Sequence, residues 1–276
     1  MNITSYFKII RPLNFLFVII AVLFGAMYKA DSLHFIISIL AAFSAALISG
    51  GGYVINDYFD RDIDKINRPE RPIPSGKISI AAARRYAIIL FSIGFILSFF
   101  LNNVWIILIA LCDSLLLYFY AYKGKKIGLW GNLIVAIVAA STFIYGGLSN
   151  NNIVNSLFCF GCALFYTVIR ELVKDIEDVE GDRKIKAKTV PIMFGQNITI
   201  GLAFLFWLFL TILTISGLNH FYKIQIFITI IILVNTYLLV NLIVLTLYTN
   251  KKVAGYSEKI MKLNMFIFLI LLWIGQ

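Results

Sequence analysis

The chain has 276 residues, of which 61% are hydrophobic and only 14% charged, and its mean hydropathy is +0.89. A soluble domain carries about 25% charged and about 45–50% apolar residues, so the composition excludes an ordinary soluble globular protein and indicates a chain embedded in lipid. The formal net charge of +10 requires no nucleic-acid partner, because the topology described below accounts for it.

Apolar runs long enough to cross a bilayer recur along the whole chain, since a transmembrane helix needs roughly 20 mainly apolar residues. The nine runs are 12–29, 34–55, 85–102, 104–122, 128–148, 153–170, 198–217, 224–248 and 259–275. The sequence therefore predicts an all-α, polytopic transmembrane bundle of about nine helices, with residues 1–276 forming one integral-membrane domain. No small-residue cleavage site follows the first run, so we expect it to stay as a span.

The basic residues lie in alternate connections between the predicted spans. Of the 24 lysines and arginines, only Lys29 and Lys223 fall on the side opposite to the others. The positive-inside rule assigns the basic side to the cytoplasm. We therefore expect a multi-pass protein of the cell membrane, with a cytoplasmic N-terminus, an external C-terminus and a central cavity that opens to the cytoplasm.

The acidic residues cluster in two stretches that follow apolar runs on the basic side. Five of the 14 lie in 57–70 and six in 171–182. Their aspartates repeat one spacing, D-x2-D-x3-D, and each set is followed by a cation and by P-I-x-x-G: Asp57, Asp60, Asp64, Arg68 and 72–76, then Asp175, Asp178, Asp182, Lys186 and 191–195. This repetition predicts internally duplicated halves, with acidic motifs at 56–76 and 174–195.

Three carboxylates at this spacing share one face if the span continues as a helix. Like charges on one face repel, and a solvated loop would explain scattered acids but not an aligned, repeated pattern. Mg²⁺ prefers oxygen ligands and commonly binds one or two carboxylates together with substrate phosphate oxygens. We therefore expect two opposed acidic faces that hold a diphosphate through Mg²⁺, with neighbouring cations neutralising the remaining phosphate charge.

A diphosphate site at the edge of an apolar bundle suits an amphiphilic substrate such as a prenyl diphosphate. Mg²⁺ and basic side chains would stabilise the departing diphosphate, and aromatic faces would stabilise the allylic cation. The expected partners are a prenyl diphosphate, a lipid-phosphate acceptor and membrane lipids, without an obligate protein partner.

The stretch NDYFDRDID (56–64), continuing to Gly76, closely resembles the first signature of the UbiA-type membrane prenyltransferases. The stretch KDIED (174–178), with Gly181 and Asp182, resembles the second signature, and the segment from Leu117 to Asn132 resembles the family's tyrosine and lysine segment. Within the family, the first stretch is most similar to archaeal members that attach a geranylgeranyl group to the free hydroxyl of geranylgeranylglyceryl phosphate.

The resemblance implies roles for individual residues. The residues that would serve Mg²⁺ and diphosphate are Asn56, Asp57, Asp60, Asp64, Asp175, Asp178 and Asp182. Those expected to touch substrate phosphates, the cation or the bound substrate are Arg68, Arg71, Tyr118, Lys123, Asn132, Lys174 and Lys186. An alternative role for Arg71 is to bind the phosphate of the acceptor.

Asp113 is the one carboxylate deep in a predicted span. A charge at a helix centre costs roughly 2.5–3.5 kcal/mol on insertion scales, so this side chain should face a partner. Two roles stay open at this point: a place in the substrate pocket, or an interhelical hydrogen bond.

Three other functions compete with this interpretation. The nearest is the same chemistry on an aromatic acceptor, as in quinone, haem or chlorophyll synthesis, since the metal motifs do not encode the acceptor. A divalent cation transporter would place its ionisable residues near the bilayer midplane, whereas these acids lie at one interface. A CDP-alcohol phosphotransferase would require the motif D-G-x2-A-R, which the sequence lacks.

Overall fold

The computed structural model describes residues 3–184, 186–217, 224–248 and 250–275, and those residues form helices and connections without a β-strand. The helices are α1 (Ile3–Ile9), α2 (Pro12–Met27), α3 (Phe35–Phe59), α4 (Arg61–Asn67), α5 (Ile80–Phe99), α6 (Val104–Lys123), α7 (Leu129–Ser149), α8 (Ile153–Lys184), α9 (Val190–Phe194), α10 (Gln196–Ser216), α11 (Ile224–Leu247) and α12 (Lys251–Gly275). The prediction of an all-α fold is therefore confirmed for this part of the chain.

The apolar runs locate the helices, but their boundaries differ from those observed. The run predicted at 85–102 corresponds to α5, which begins at Ile80 because Ser79 caps it by accepting a hydrogen bond from the Ala82 N–H at 3.2 Å. Counting hydropathy alone placed this start too late, because Arg84 and Arg85 lie within the helix. The run predicted at 153–170 corresponds to α8, which continues as helix through its acidic residues to Lys184.

Six of the described helices, α3, α5, α6, α7, α8 and α10, are long and apolar enough to cross a membrane. The pair α1 and α2 satisfies the same criteria jointly and is bent by 53°, which raises the count over the described residues to seven. The protein is therefore a multi-pass membrane protein. Nine spans, the cytoplasmic cavity and the orientation of the termini stay predictions.

The chain divides into two compact units, each of which carries one acidic segment. Unit 1 comprises Met1–Gly124 and Ser141–Leu157, and unit 2 comprises Lys125–Ala140 and Phe158–Gln276. In unit 1, α2 and α7 lie so close that a Cβ at Gly146 would overlap the Val22 carbonyl. Small residues permit such close approach of helices in membrane proteins.

Within each unit, hydrogen bonds from polar side chains connect neighbouring helices. In unit 1 the Ser44 hydroxyl donates to the Gly94 carbonyl at 2.6 Å, joining α3 to α5, and lies 2.7 Å from the Tyr145 hydroxyl of α7. In unit 2 the Tyr166 hydroxyl donates to the Met261 carbonyl at 2.8 Å, joining α8 to α12. Buried polar groups of this kind are satisfied within the bundle because lipid offers no hydrogen bonds.

Candidate functional site

The first acidic segment lies where α3 ends and α4 begins. Asp60 stands between the two helices, at φ −81° and ψ 1°. Helical hydrogen bonds flank this break, since the Asp60 N–H donates to the Asn56 carbonyl at 2.9 Å and the Asp64 N–H to the Asp60 carbonyl at 2.8 Å. The segment is therefore helical on both sides of Asp60 but is not one uninterrupted helix. The prediction that its three aspartates share one face assumed an uninterrupted helix.

Asp57 is surrounded by two arginines and is only 3% exposed. Its Oδ1 atom accepts hydrogen bonds from Arg11 at 2.9 Å and from Arg71 at 3.1 Å. The negative charge of Asp57 is thus compensated within unit 1 by two guanidinium groups. A role for Asp57 as a metal ligand stays a prediction.

Asp64 is bound by the same arginine. Nη1 of Arg71 donates to Asp64 Oδ2 at 2.6 Å as well as to Asp57. Burial raises the pKa of the Asp64 carboxyl above its ordinary value, and the neighbouring Arg71 guanidinium opposes that rise. Arg71, predicted to contact a substrate phosphate, therefore lies between two carboxylates of the signature.

The remaining groups of the first signature lie at the ends of their helices. The Asn56 amide donates to Asp60 Oδ2 at 3.0 Å, which brings an amide oxygen and a carboxylate to the same turn. Arg68 follows α4 as its C-terminal cap and is exposed. Both positions agree with the chemistry expected of them, since oxygen ligands and an accessible cation are what Mg²⁺ and a phosphate need.

An aromatic cluster in unit 1 adjoins the first acidic segment. The Phe59 ring lies 5.8 Å from that of Tyr118 and 5.5 Å from that of Tyr122, measured between centroids. The Lys123 ammonium lies 5.6 Å from the Tyr122 ring centroid. The predicted pair Tyr118 and Lys123 therefore stands at the end of α6, with Tyr118 in contact with the residue that precedes Asp60.

The second acidic segment, in unit 2, belongs to the 32-residue helix α8. Because the helix is continuous, Asp175, Asp178 and Asp182 share one face, as the spacing requires. The amide of Asn132, near the start of α7, donates to Asp175 Oδ2 at 2.9 Å. The predicted substrate residue Asn132 is thus brought directly to the second signature.

An ion-pair cluster lies one helical turn before these aspartates. Arg170 donates to Glu171 through Nη2 and to Glu258 on α12 through Nη1, the latter at 2.9 Å. Lys262 also pairs with Glu258 at 2.9 Å, and Lys174 lies 3.5 Å from Glu171. Lys174, predicted to bind substrate, is therefore engaged with a carboxylate of its own helix.

Both acidic motifs, 56–76 and 174–195, end on a glycine with a positive φ. Gly76 has φ +73° and Gly195 has φ +85°, a region that favours glycine. Lys186, the cation after the second segment, is itself a non-glycine residue at φ +54° and is exposed. These local similarities agree with the predicted duplication, which stays a prediction.

Asp113 has an identified partner on another helix. Its Oδ2 atom accepts a hydrogen bond from the Ser141 hydroxyl at 2.6 Å, which links α6 to α7 within unit 1. This contact is the interhelical hydrogen bond considered from the sequence. A place in the substrate pocket stays a prediction.

Sequence reasoning missed two groups of charged residues. The sequence places Arg11 among the basic residues of the cytoplasmic side and gives it no role in the site, yet it pairs with a signature aspartate. Glu258 lies outside both acidic stretches, yet it pairs with Arg170 and Lys262. The sequence signal for Arg11 is its position immediately before Pro12 and the first apolar run. No sequence signal pointed to Glu258.

Over the described residues, no group of three or more His, Cys, Asp or Glu side chains is arranged to hold a metal ion. Asp57 and Asp64 instead accept hydrogen bonds from Arg71, and Asp175 accepts one from Asn132. Their chemistry nevertheless fits Mg²⁺, because the signature supplies carboxylate and amide oxygens without sulfur or imidazole.

Comparison with known sequences gives consistent matches over most of the chain. The model of the UbiA prenyltransferase family matches residues 15–270. The chain is 39% identical over 265 residues to the digeranylgeranylglyceryl phosphate synthase of Methanosphaera stadtmanae, with 95% of each chain covered. It is 36% identical over 284 residues to the enzyme of that name from Methanococcus aeolicus, with 100% of this chain and 99% of the relative covered.

Solved structures show the same architecture. A structure described as giving mechanistic insights into digeranylgeranylglyceryl phosphate synthase in membranes matches with a TM-score of 0.83 and 32% identity, covering 99% of this chain and 98% of the other. A UbiA homologue from Archaeoglobus fulgidus bound to GPP and Mg²⁺ matches with a TM-score of 0.73 and covers 98% and 99% of the two chains. At 17% identity, the latter shows a shared fold alone.

Proposed function

Because the chain belongs to the UbiA prenyltransferase family, we propose that it transfers a geranylgeranyl group from geranylgeranyl diphosphate to the free hydroxyl of geranylgeranylglyceryl phosphate. The product is digeranylgeranylglyceryl phosphate, a precursor of archaeal ether phospholipids. The observation that carries the choice of acceptor is the match over 95–100% of the chain to relatives that bear this enzyme's name.

The reaction exchanges one C–O bond for another. The bond between C1 of the geranylgeranyl group and the diphosphate breaks, and diphosphate leaves with the electron pair. A new ether bond forms between C1 and the acceptor's hydroxyl oxygen, which loses its proton. Negative charge therefore grows on the diphosphate and positive charge on the allylic carbon, and the site must stabilise both.

The first acidic segment has the groups that the diphosphate end requires. Asn56, Asp60 and Asp64 offer oxygen ligands for Mg²⁺, and the exposed Arg68 provides a cation for a phosphate oxygen. Bound Mg²⁺ would neutralise the negative charge that grows on the departing diphosphate. The aromatic face of Tyr118, with Lys123 at the end of the same helix, suits the cation and the phosphate respectively.

The second acidic segment is assigned the same task because its spacing repeats that of the first. Asp175, Asp178 and Asp182 are its proposed oxygen ligands, and Asn132 orients Asp175 by donating to it. The repeated sequence is also the basis for proposing that both segments serve one diphosphate. Lys174 and Lys186 are the cations proposed to accompany it, and Asp113 is proposed to adjoin the prenyl chain.

The orientation in the membrane is likewise proposed from the sequence. Because nearly all basic residues fall on one side, we place the N-terminus and both acidic segments in the cytoplasm, with nine spans and the C-terminus outside. Labelling of single cysteines introduced near each terminus, in sealed vesicles, would test this arrangement.

The proposed activity can be tested with purified protein in lipid nanodiscs. We expect incubation with geranylgeranyl diphosphate, Mg²⁺ and geranylgeranylglyceryl phosphate to give digeranylgeranylglyceryl phosphate by mass spectrometry. Chelation of the metal should stop turnover, and added Mg²⁺ should restore it. Prenylation of 4-hydroxybenzoate without reaction of the glyceryl phosphate lipid would overturn the choice of acceptor, and Mn²⁺ flux into proteoliposomes without prenyl transfer would favour a transporter.

A further inference from the structure

Arg11 is a charged residue in an unusual backbone conformation, at the break between α1 and α2. Its φ of +54° and ψ of 75° lie in the left-handed region, which a non-glycine residue rarely occupies. Such a conformation persists where the surrounding contacts determine it, and it is frequent at functional sites. The contacts of the Arg11 side chain therefore indicate what the conformation serves.

The Arg11 guanidinium lies along one face of α3. It donates to Asp57 Oδ1 at 2.9 Å and lies 4.7 Å from the Tyr53 ring centroid. Tyr53 and Asp57 are four residues apart on α3, so they share a face. A cation–π contact on one residue and an ion pair with the next thus fix the guanidinium at two points.

Arg11 is the first member of a row of alternating charges in unit 1. Asp57 accepts from Arg11 and from Arg71, and the Arg71 nitrogen that contacts Asp57 also donates to Asp64 at 2.6 Å. The row joins the start of α2 to the end of α3, to the loop at residue 71 and to α4. It therefore spans the break between α3 and α4 at Asp60, and the ion pairs connect the two helices across that break.

The same contacts argue against a direct role for Asp57 in binding a metal. Its Oδ1 atom lies within 3.1 Å of two guanidinium groups, which would repel a divalent cation at that oxygen. The carboxylate that both arginines share is better suited to holding the segment in place.

We propose that Arg11 is a positioning residue for the first acidic segment. Through Asp57 and Arg71 it fixes where Asp60 and Asp64 stand, and it contacts neither metal nor substrate. The inference rests on the proposed function, because it concerns the affinity of this segment for the metal that the reaction uses.

The first test measures Mn²⁺ binding by electron paramagnetic resonance, without substrate. Arg11→Gln should weaken Mn²⁺ affinity by about 10- to 100-fold, the range found when a residue that orients metal ligands is replaced. Arg11→Lys should recover part of that loss, because an ammonium group can still pair with Asp57. Lys8→Gln is the matched control. It removes an exposed charge from α1, three residues before Arg11, and should leave Mn²⁺ affinity unchanged.

The second test is a double-mutant cycle with Asp57→Asn. If Arg11 acts through Asp57, the double variant should bind Mn²⁺ no more weakly than Asp57→Asn alone. If the double variant instead loses Mn²⁺ affinity by the product of the two single losses, the proposal is overturned. A raised KM for prenyl diphosphate in Arg11→Gln with unchanged Mn²⁺ affinity would likewise overturn it, in favour of direct substrate contact. Thermal unfolding checks each variant, and if Arg11→Gln does not fold, Arg11→Lys and Asp57→Asn give the same comparison.

The two proposals can fail separately. If the wild-type protein binds Mn²⁺ and forms product while Arg11→Gln binds Mn²⁺ equally well, only the role of Arg11 is wrong. If the wild-type protein forms no prenylated lipid under any condition, the proposed function is wrong.

Discussion

The two acidic segments have the same aspartate spacing but different backbones. In the first, the helix breaks at Asp60, and ion pairs from Arg11 and Arg71 connect the parts. In the second, α8 runs without interruption past Asp182, and Asn132 contributes a single hydrogen bond to Asp175. One segment therefore depends on long-range charge pairing for its shape, whereas the other depends on helical hydrogen bonds that the segment makes with itself.

The largest loss of turnover should come from replacing the central aspartate of either segment. The two segments should respond alike to this change. Asp60→Asn and Asp178→Asn should each lower turnover by at least about a hundredfold, because a fixed charge at the diphosphate is lost. The measurement is product formation at saturating substrate.

Exposed acids next to each aspartate provide controls. Asp62→Asn and Glu180→Gln remove acids that contact Lys65 and Lys251 at the surface, and they should retain nearly full turnover. Full activity of only one of the two central variants would break the equivalence of the segments.

The next effect separates the segments by their arginines. Arg71→Gln removes the ion pair of the buried Asp64 and one of the two ion pairs of Asp57, so it should lower the free energy of unfolding by about 3–5 kcal/mol. Arg170→Gln should lower it less, because Glu171 stays near Lys174 and Glu258 stays paired with Lys262. Only Arg71→Gln should also weaken Mn²⁺ binding, because Arg71 joins α3 to α4 across Asp60. Thermal unfolding and Mn²⁺ titration are the readouts.

Lysines at the surface serve as controls for the arginines. Lys65→Gln and Lys251→Gln remove exposed ion pairs that solvent screens, so neither variant should change the unfolding temperature appreciably. Equal loss of Mn²⁺ affinity in the two arginine variants would show that α8 also depends on its ion pairs.

A smaller effect is expected at the two asparagines. Asn56 donates to Asp60 from within α3, whereas Asn132 donates to Asp175 from another helix. Replacing either with alanine should lower turnover by about tenfold, the equivalent of one hydrogen bond to a charged group. Asn197→Ala, at an exposed position in α10, should be neutral, and a neutral Asn132→Ala would remove this residue from the site.

The smallest effect concerns Ser141, the partner of Asp113. Hydrogen bonds between membrane helices average about 0.6 kcal/mol, so Ser141→Ala should lower the unfolding temperature slightly and leave turnover nearly unchanged. A large loss of turnover without loss of stability would show that this hydrogen bond orients Asp113 for its proposed place beside the prenyl chain.

The sequence predicted features that depend on neighbouring residues. The apolar runs located the long helices, and the repeated aspartate spacing identified the two segments. The start of α5 was placed late because charged side chains at 84–85 can belong to a helix that extends beyond the lipid. The sequence did not predict independently that α8 continues to Lys184. It indicated only that the three aspartates share one face if the span continues as a helix.

Features that depend on distant residues could not be predicted. The ion pair of Arg11 with Asp57 joins positions 46 residues apart, and that of Arg170 with Glu258 joins positions 88 apart. Nothing in the local pattern distinguishes these residues from others on the basic side, because any of many cations could pair with a given carboxylate. The helix break at Asp60 belongs to the same class, since the ion pairs around it come from other elements.

The length of α8 has a mechanical consequence. Its 32 residues extend about 48 Å, whereas the hydrocarbon core of a bilayer is about 30 Å thick. The lipid-embedded part and the acidic part therefore form a single rod, and a tilt imposed by a thinner or thicker bilayer displaces the carboxylates at its far end. Hydrophobic mismatch thus reaches the second acidic segment directly, whereas in the first segment α4 is not continuous with the membrane helix α3.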